Sequence, residues 1–179
     1  NSFVKFSIDP NDPTSLSNNA INDVLVDSAG RVWVATQGGL NLYLPETNSF
    51  RRYRLLYEDD NSLSNNQVLS LCEDLDGNLW IGTKNGLNKY NFEMDVFTRY
   101  YIDTPKKDLL PSNIINDLII DESGDLWVGT PSGLSRISKE MKKSTQYHTA
   151  PGKSNSLPND HILSLYSGIS GMVWIGTKS

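Results

Sequence analysis

Residues 74–87 read Asp74-Leu75-Asp76-Gly77-Asn78-Leu79-Trp80-Ile81-Gly82-Thr83-Lys84-Asn85-Gly86-Leu87, and the same frame returns 47 residues later from Asp121 through Gly124, Trp127 and Thr130 to Gly133-Leu134. It also stands 47 residues earlier, from Asp27 through Gly30, Trp33 and Thr36 to Gly39-Leu40, with Ala35 where the other copies have Gly82 and Gly129. All four tryptophans, Trp33, Trp80, Trp127 and Trp174, keep this one interval. Gly30, Gly77, Gly124 and Gly171 lie three residues before them, and Thr36, Thr83, Thr130 and Thr177 three residues after. Several landmarks at one spacing define a structural repeat. Leu16, Leu63, Leu110 and Leu157 precede the units, and Tyr53, Tyr100 and Tyr147 close them. Phe3 and Phe6 match Phe50 and Tyr53 one period back, so residues 1–15 read as the end of a preceding unit. Residues 16–62, 63–109 and 110–156 are then complete repeats, and 157–179 a truncated one.

Each unit reads as four short β segments. The first (21–27, 68–74, 115–121, 162–168) is β-branched and mostly apolar, as a buried strand is. The Asp-x-x-Gly turn that follows is a hairpin turn, in which Asp binds the backbone and Gly supplies positive φ. In the fourth unit Gly168 replaces the Asp, so a different turn is expected there. The second segment (32–36, 79–83, 126–130) is apolar on both faces, as in a sheet held between two others. The Gly-Leu pair opens the third (40–43, 87–90, 134–137). The fourth (50–53, 97–100, 144–147) carries Arg52 and Arg99, with Lys5 ahead of the first unit, charges that suit an exposed edge strand. Four strands in a period in the forties, with one aromatic anchor, describe a β-propeller blade. The fold class expected is all-β: four-stranded antiparallel blades in an incomplete arc of about four, part of a larger ring whose open faces need covering.

Composition narrows the function. The chain has 179 residues, net charge −5, 37 % apolar, 21 % charged and a single cysteine, Cys72. Net negative charge argues against nucleic acid as a partner. One cysteine excludes an internal disulfide framework and a thiolate-rich zinc site. No apolar run is long enough to cross a membrane. The opening Asn1-Ser2-Phe3 shows neither an initiating Met nor a signal peptide, as expected for a piece of a longer protein.

Catalytic motifs are lacking. Gly77 to Lys84 does not place Lys directly after the second Gly as a phosphate loop requires. Asp74 to Asn78 lacks the later bidentate Glu of a calcium loop. His148 and His161 are thirteen apart, without metal-ligand spacing. Gly168-Ile169-Ser170-Gly171 is one residue short of a nucleophile elbow. The run Glu58-Asp59-Asp60 reads as a solvated loop face. The expectation is no catalytic residue, no cofactor and no metal.

The string from Leu110 to Leu134 resembles the two-component regulator propeller repeat, and the resemblance covers essentially the whole chain. It implies a segment of a seven-bladed propeller in the periplasmic sensor half of a hybrid two-component regulator. Such a regulator binds an oligosaccharide or similar signal and passes it to a membrane-linked histidine kinase. It also implies a homodimer, with remaining blades of the parent chain or a second copy as partners. Repeated positions serve the blade, and those that vary are free to serve a ligand. In the loops that share one face of a propeller, Tyr57, Lys84, Lys106, Lys107 and His161 are the ligand-binding candidates. Two rival readings stand beside this: a propeller lyase of the streptogramin-inactivating type, which needs a catalytic His and a metal-coordinating carboxylate, and a non-catalytic protein-interaction scaffold.

Overall fold

The computed structural model of the chain describes residues 3–102 and 109–179. Three four-stranded antiparallel sheets and one two-stranded sheet follow in sequence. The first comprises β1 (Ile21–Val26), β2 (Val32–Thr36), β3 (Gly39–Leu44) and β4 (Ser49–Tyr53). The second comprises β5 (Val68–Glu73), β6 (Leu79–Thr83), β7 (Gly86–Asn91) and β8 (Val96–Tyr100). The third has β9 (Asp117–Ile120), β10 (Leu126–Thr130), β11 (Gly133–Ile137) and β12 (Ser144–Tyr147), and the fourth β13 (Ile162–Ser167) and β14 (Val173–Thr177). Every strand pairs with its neighbour in sequence, so each sheet is a simple meander. The sheets do not close on one another: they form an incomplete arc of propeller blades.

The hairpin turns explain the Asp-x-x-Gly frame. Gly30 and Gly77 take φ +78° and +79°, and their N–H groups donate to the carbonyls of Asp27 and Asp74. The Asp carboxylate also accepts the backbone N–H groups two and four residues on. A second bond is not visible in the local pattern: the indole N–H of the Trp six residues later donates to the same carboxylate. The distances are 2.8 Å for Trp33 to Asp27, 2.9 Å for Trp80 to Asp74 and 2.8 Å for Trp127 to Asp121. Cations complete the cluster: Arg31 binds Asp27 at 2.6 Å, and Arg136 binds Asp121 at 3.2 Å. Without the Asp, the fourth unit turns differently, through Ser170 and Gly171 at φ 67° and 73°.

The main cores lie between sheets, while Leu16, Val34 and Phe50 form a smaller cluster within the first blade. Trp33, Ala35, Leu40 and Tyr53 of the first sheet pack on Val68, Leu71, Ile81, Tyr90 and Phe97 of the second. Cys72, Trp80 and Leu87 meet Ile115, Leu118 and Val128 of the third. Trp127 and Leu134 meet Ile162 and Leu165 of the fourth. Each Trp is therefore covered by the sheet after its own, and its burial follows: Trp33 is fully buried, Trp80 nearly so, Trp127 half-buried. Trp174, expected in the same core setting, is instead 63 % exposed, because among the described residues no sheet lies over it.

The fourth strands depart from expectation. Arg52 and Arg99 are not solvated edge charges. Arg52 donates to the carbonyls of Asp12, Ser15 and Leu16, and Arg99 makes the same bonds to Asp59, Ser62 and Leu63. Each guanidinium ties the outermost strand to the loop that leads into its own blade. Thr36, Thr83 and Thr130 are likewise structural: each hydroxyl donates to the glycine carbonyl three residues on and accepts the N–H two residues on.

Candidate functional site

The loops leading into the blades and the turns between second and third strands meet on one face. Ser17 bonds Thr36 at 2.8 Å, and Arg54 Nε donates to the carbonyl of Gly38 at 3.1 Å. The candidates chosen from the sequence are scattered over that face. Tyr57 is 94 % exposed. Lys84 is exposed, and its backbone N–H donates to Gln67. His161 is half-buried, and its carbonyl accepts the N–H of Lys178, not of Lys84. None of these three lines the groove described next. Lys106 and Lys107 lie outside the described residues.

What the structure does gather is a groove of about 320 Å³ between the first two blades. One wall is β4 with its continuation, Arg51-Arg52-Tyr53-Arg54, and the other holds Leu56, Asp59, Asn61, Asp95 and Phe97. Comparison along the repeat separates scaffold from the rest. Arg52 recurs as Arg99 and Tyr53 as Tyr100 and Tyr147, whereas Arg51 becomes Thr98 and Thr145, and Arg54 becomes Tyr101 and His148. Arg51 and Arg54 are thus cations that blade architecture does not require.

Hydrogen bonds fix the groove wall. Tyr53 OH and Tyr90 OH lie 3.0 Å apart, Tyr90 OH donates to Asp95, and Asp95 pairs with Arg51. Arg51 also sits 4.9 Å from the centre of the Tyr53 ring. The Tyr90 hydroxyl and then the Arg51 guanidinium outweigh burial and hold the Asp95 carboxyl below its ordinary range. Burial, reinforced by the hydrogen bonds with Asp95 and Tyr53, pushes the Tyr90 hydroxyl far up, so it stays a neutral donor. Arg51 and Arg54 are both exposed and each holds a fixed anchor, Asp95 and the Gly38 carbonyl respectively. Guanidinium forks of this kind bind carboxylate or sulfate groups. Leu56 is the exposed apolar side chain at the groove, Tyr53 and Phe97 lie buried beneath it in the inter-blade core, and Asp59 and Asn61 add polar groups.

Residues 15–38, 62–85 and 109–132 match the two component regulator propeller family. Those three segments are two component regulator propeller repeats. None of the curated proteins matches the chain. Among solved structures, the chain is similar to the extracellular domain of a B. thetaiotaomicron protein named as a hybrid two component system. Identity is 29 % and the TM-score 0.79, over 96 % of this chain and 23 % of that one. A second such domain from the same organism is 26 % identical with a TM-score of 0.76, over 92 % and 21 %. This chain thus spans under a quarter of the length of either domain. Virginiamycin B lyase from Staphylococcus aureus is 16 % identical with a TM-score of 0.60, over 87 % of this chain and 48 % of that one, a likeness of fold alone. Among the described residues no group of three or more His, Cys, Asp or Glu side chains is placed to hold a metal ion, and no helix is long and apolar enough to cross a membrane.

Proposed function

We propose that this chain is a ligand-sensing segment of a hybrid two component regulator, placed on the periplasmic side and working by binding, not catalysis. Its signal is an oligosaccharide bearing acidic groups, and its output reaches a membrane-linked histidine kinase. The observation that carries this reading is the pairing of family repeats with a groove whose two non-repeat arginines, Arg51 and Arg54, stand beside Tyr53 between two rigid blades. A ligand acts only through different affinity for two arrangements of its receptor. A groove between two blades has that property, because tightening it moves packed sheets as units.

Calorimetric titration of the chain with uronic-acid oligosaccharides, and with neutral maltooligosaccharides as controls, tests the reading. Binding confined to the acidic series, and weakened at least about tenfold by Arg54→Ala, is expected for one lost charge-assisted hydrogen bond. Equal affinity of wild type and the Arg51→Ala/Arg54→Ala double variant for every sugar overturns the groove. Failure of all acidic sugars to bind overturns the ligand class.

A further inference from the structure

The Arg51–Asp95 ion pair spans the groove, because Arg51 stands on β4 of the first blade and Asp95 in the turn between β7 and β8 of the second. Asp95 takes the left-handed backbone, φ 58°, and divides its oxygens: Oδ1 accepts the Tyr90 hydroxyl and Oδ2 holds the Arg51 guanidinium. The first blade makes the same turn with Asn48, φ 51°, whose Oδ1 accepts the Tyr43 hydroxyl at 2.9 Å. An asparagine therefore meets every demand the turn makes at this place. What it lacks is the charge. One interval on, Thr98 stands for Arg51 and Lys142 for Asp95, so the junction between the second and third blades is made without this pair. Neither turn nor blade packing calls for the Asp95 carboxylate, and what varies along a repeat is free for another task.

That task follows from the charges of the groove. Arg51, Arg52 and Arg54 line it together with Asp59 and Asp95. Arg52 is committed to the loop carbonyls of its own blade. Among the described residues no carboxylate pairs with Arg54, whose Nε holds the Gly38 carbonyl. Arg51 is already neutralised, by a carboxylate of the kind an acidic sugar brings. The two side chains are 51 % and 42 % exposed, so the pair is weakly held and open to exchange. Asp95 keeps its charge near neutral pH, since the Tyr90 hydroxyl and then Arg51 hold its carboxyl below the ordinary range. A single ligand carboxylate put in its place swaps one ion pair for an equal one and gains nothing. It does better at Arg54, with the pair left closed. Only a ligand with several acidic groups fills both forks, and it has to push Asp95 aside.

We propose that Asp95 is the specificity-determining residue of the groove, a role that rests on the groove being a site for acidic sugars: as an internal counter-anion it keeps the Arg51 fork closed to any sugar with fewer than two acidic groups. Exchange of Asp95 for a ligand group also undoes an ion pair between the first blade and the second, so entry of the ligand and loss of this tie across the groove are one event. A ligand thereby acts on the placement of two blades through the same contact that selects it.

The test is calorimetric titration of wild type and Asp95→Asn with trigalacturonic acid, which has a carboxylate on every ring, aldotriouronic acid, with a single one, and maltotriose, with none. Asp95→Asn installs the side chain that the first blade uses, so it frees Arg51 and leaves the turn intact; an unchanged near-ultraviolet signal from the buried Trp33 and Trp80 shows that the variant is folded. Trigalacturonic acid is expected to bind the variant at least about fivefold tighter than wild type, the size of one exposed ion pair removed from competition. Aldotriouronic acid gains no more than about twofold, from a second fork to choose, and maltotriose does not respond. Added to Arg51→Ala, the Asp95→Asn change brings no gain, because the contested fork is gone. An unchanged affinity for trigalacturonic acid overturns the role of Asp95 and leaves the groove standing. So does an equal gain for both acids, or a gain that survives Arg51→Ala, either of which makes Asp95 a mere repelling charge. Binding of trigalacturonic acid by the variant alone supports the role, and failure of both proteins to bind it overturns role and groove together.

Discussion

The indole N–H of Trp33 donates to the Asp27 carboxylate at 2.8 Å while the Trp33 ring lies fully buried under the second blade. One bond therefore joins a hairpin turn to an inter-blade core, and it recurs at Trp80–Asp74 and Trp127–Asp121. Removing the carboxylate strands a buried N–H donor and frees the turn. Asp74→Ala is expected to lower unfolding free energy by about 2 kcal/mol, the range for a hydrogen bond to a charged group. Urea denaturation followed by tryptophan fluorescence measures it, and a loss within error of wild type would contradict the role assigned to the bond.

The same carboxylates make stability depend on acidity. Burial pushes Asp27, Asp74 and Asp121 up, but the Trp indole and turn N–H groups outweigh it and hold all three below their ordinary value of 3.8. The folded chain keeps them ionised at lower pH than the unfolded chain does. Their contribution is complete above the unfolded value and disappears as pH falls through the lower folded values. Urea midpoints measured from about pH 6 down to about pH 2 are expected to fall in the acid limb. Asp74→Asn, with nothing to titrate at that turn, is expected to show a shallower limb than wild type.

Two arginines one blade apart in role give opposite expectations. Arg99 closes the second blade with bonds to the carbonyls of Asp59, Ser62 and Leu63, so Arg99→Ala is expected to cost about 1–3 kcal/mol. Lys at that position does not restore the stability, because one ammonium cannot span the fork. Arg54→Ala, by contrast, is expected to stay within about 0.5 kcal/mol of wild type, as exposed substitutions do. A thermal melt of all three variants separates scaffold from groove, and a large loss for Arg54→Ala would assign it to the scaffold.

The blade and its strand order were legible because Trp, Gly and Thr mark every unit at one interval, and hairpin pairing is local. The contacts between blades were not, since Asn22 and Val68 or Ser70 and Asp117 lie 46 and 47 residues apart. Arg52 reads as an edge charge because nothing local tells that three carbonyls of a distant loop converge on it. The groove cations are legible in the sequence as well: Arg51 and Arg54 vary along the repeat as strongly as the loop candidates Tyr57, Lys84 and His161, but they stand at the end of a strand and not in a loop. That the strand end meets the next blade there is set by packing between blades, which no local pattern shows.

The last prediction concerns Ala35, the one break in the Gly-Thr frame. A Cβ added to Gly82 would lie 2.7 Å from Ile115 Cγ2, and one on Gly129 would lie 2.7 Å from Ile162 Cγ2. Ala35 occupies the equivalent place on β2, and the residue equivalent to Ile115 on the sheet opposite it is Val68, in the same buried cluster. Methyl and methylene are exchanged across the junction: Ala against Val in one case, Gly against Ile in two. Volume is kept, as close packing demands. Gly82→Ala alone is expected to destabilise by about 1–3 kcal/mol through overpacking. Ile115→Val alone leaves a small cavity and costs about 1 kcal/mol. Combined, they recreate the Ala35–Val68 pairing, because valine, one methylene shorter, leaves room for the side chain to shift its Cγ2 off the added methyl. The double variant is then expected to be more stable than Gly82→Ala by itself, with a coupling energy of the magnitude seen for residues in contact, about 0.5–3 kcal/mol. Purely additive losses in the double-mutant cycle would show that Ala35 is tolerated for some reason other than its partner across the junction.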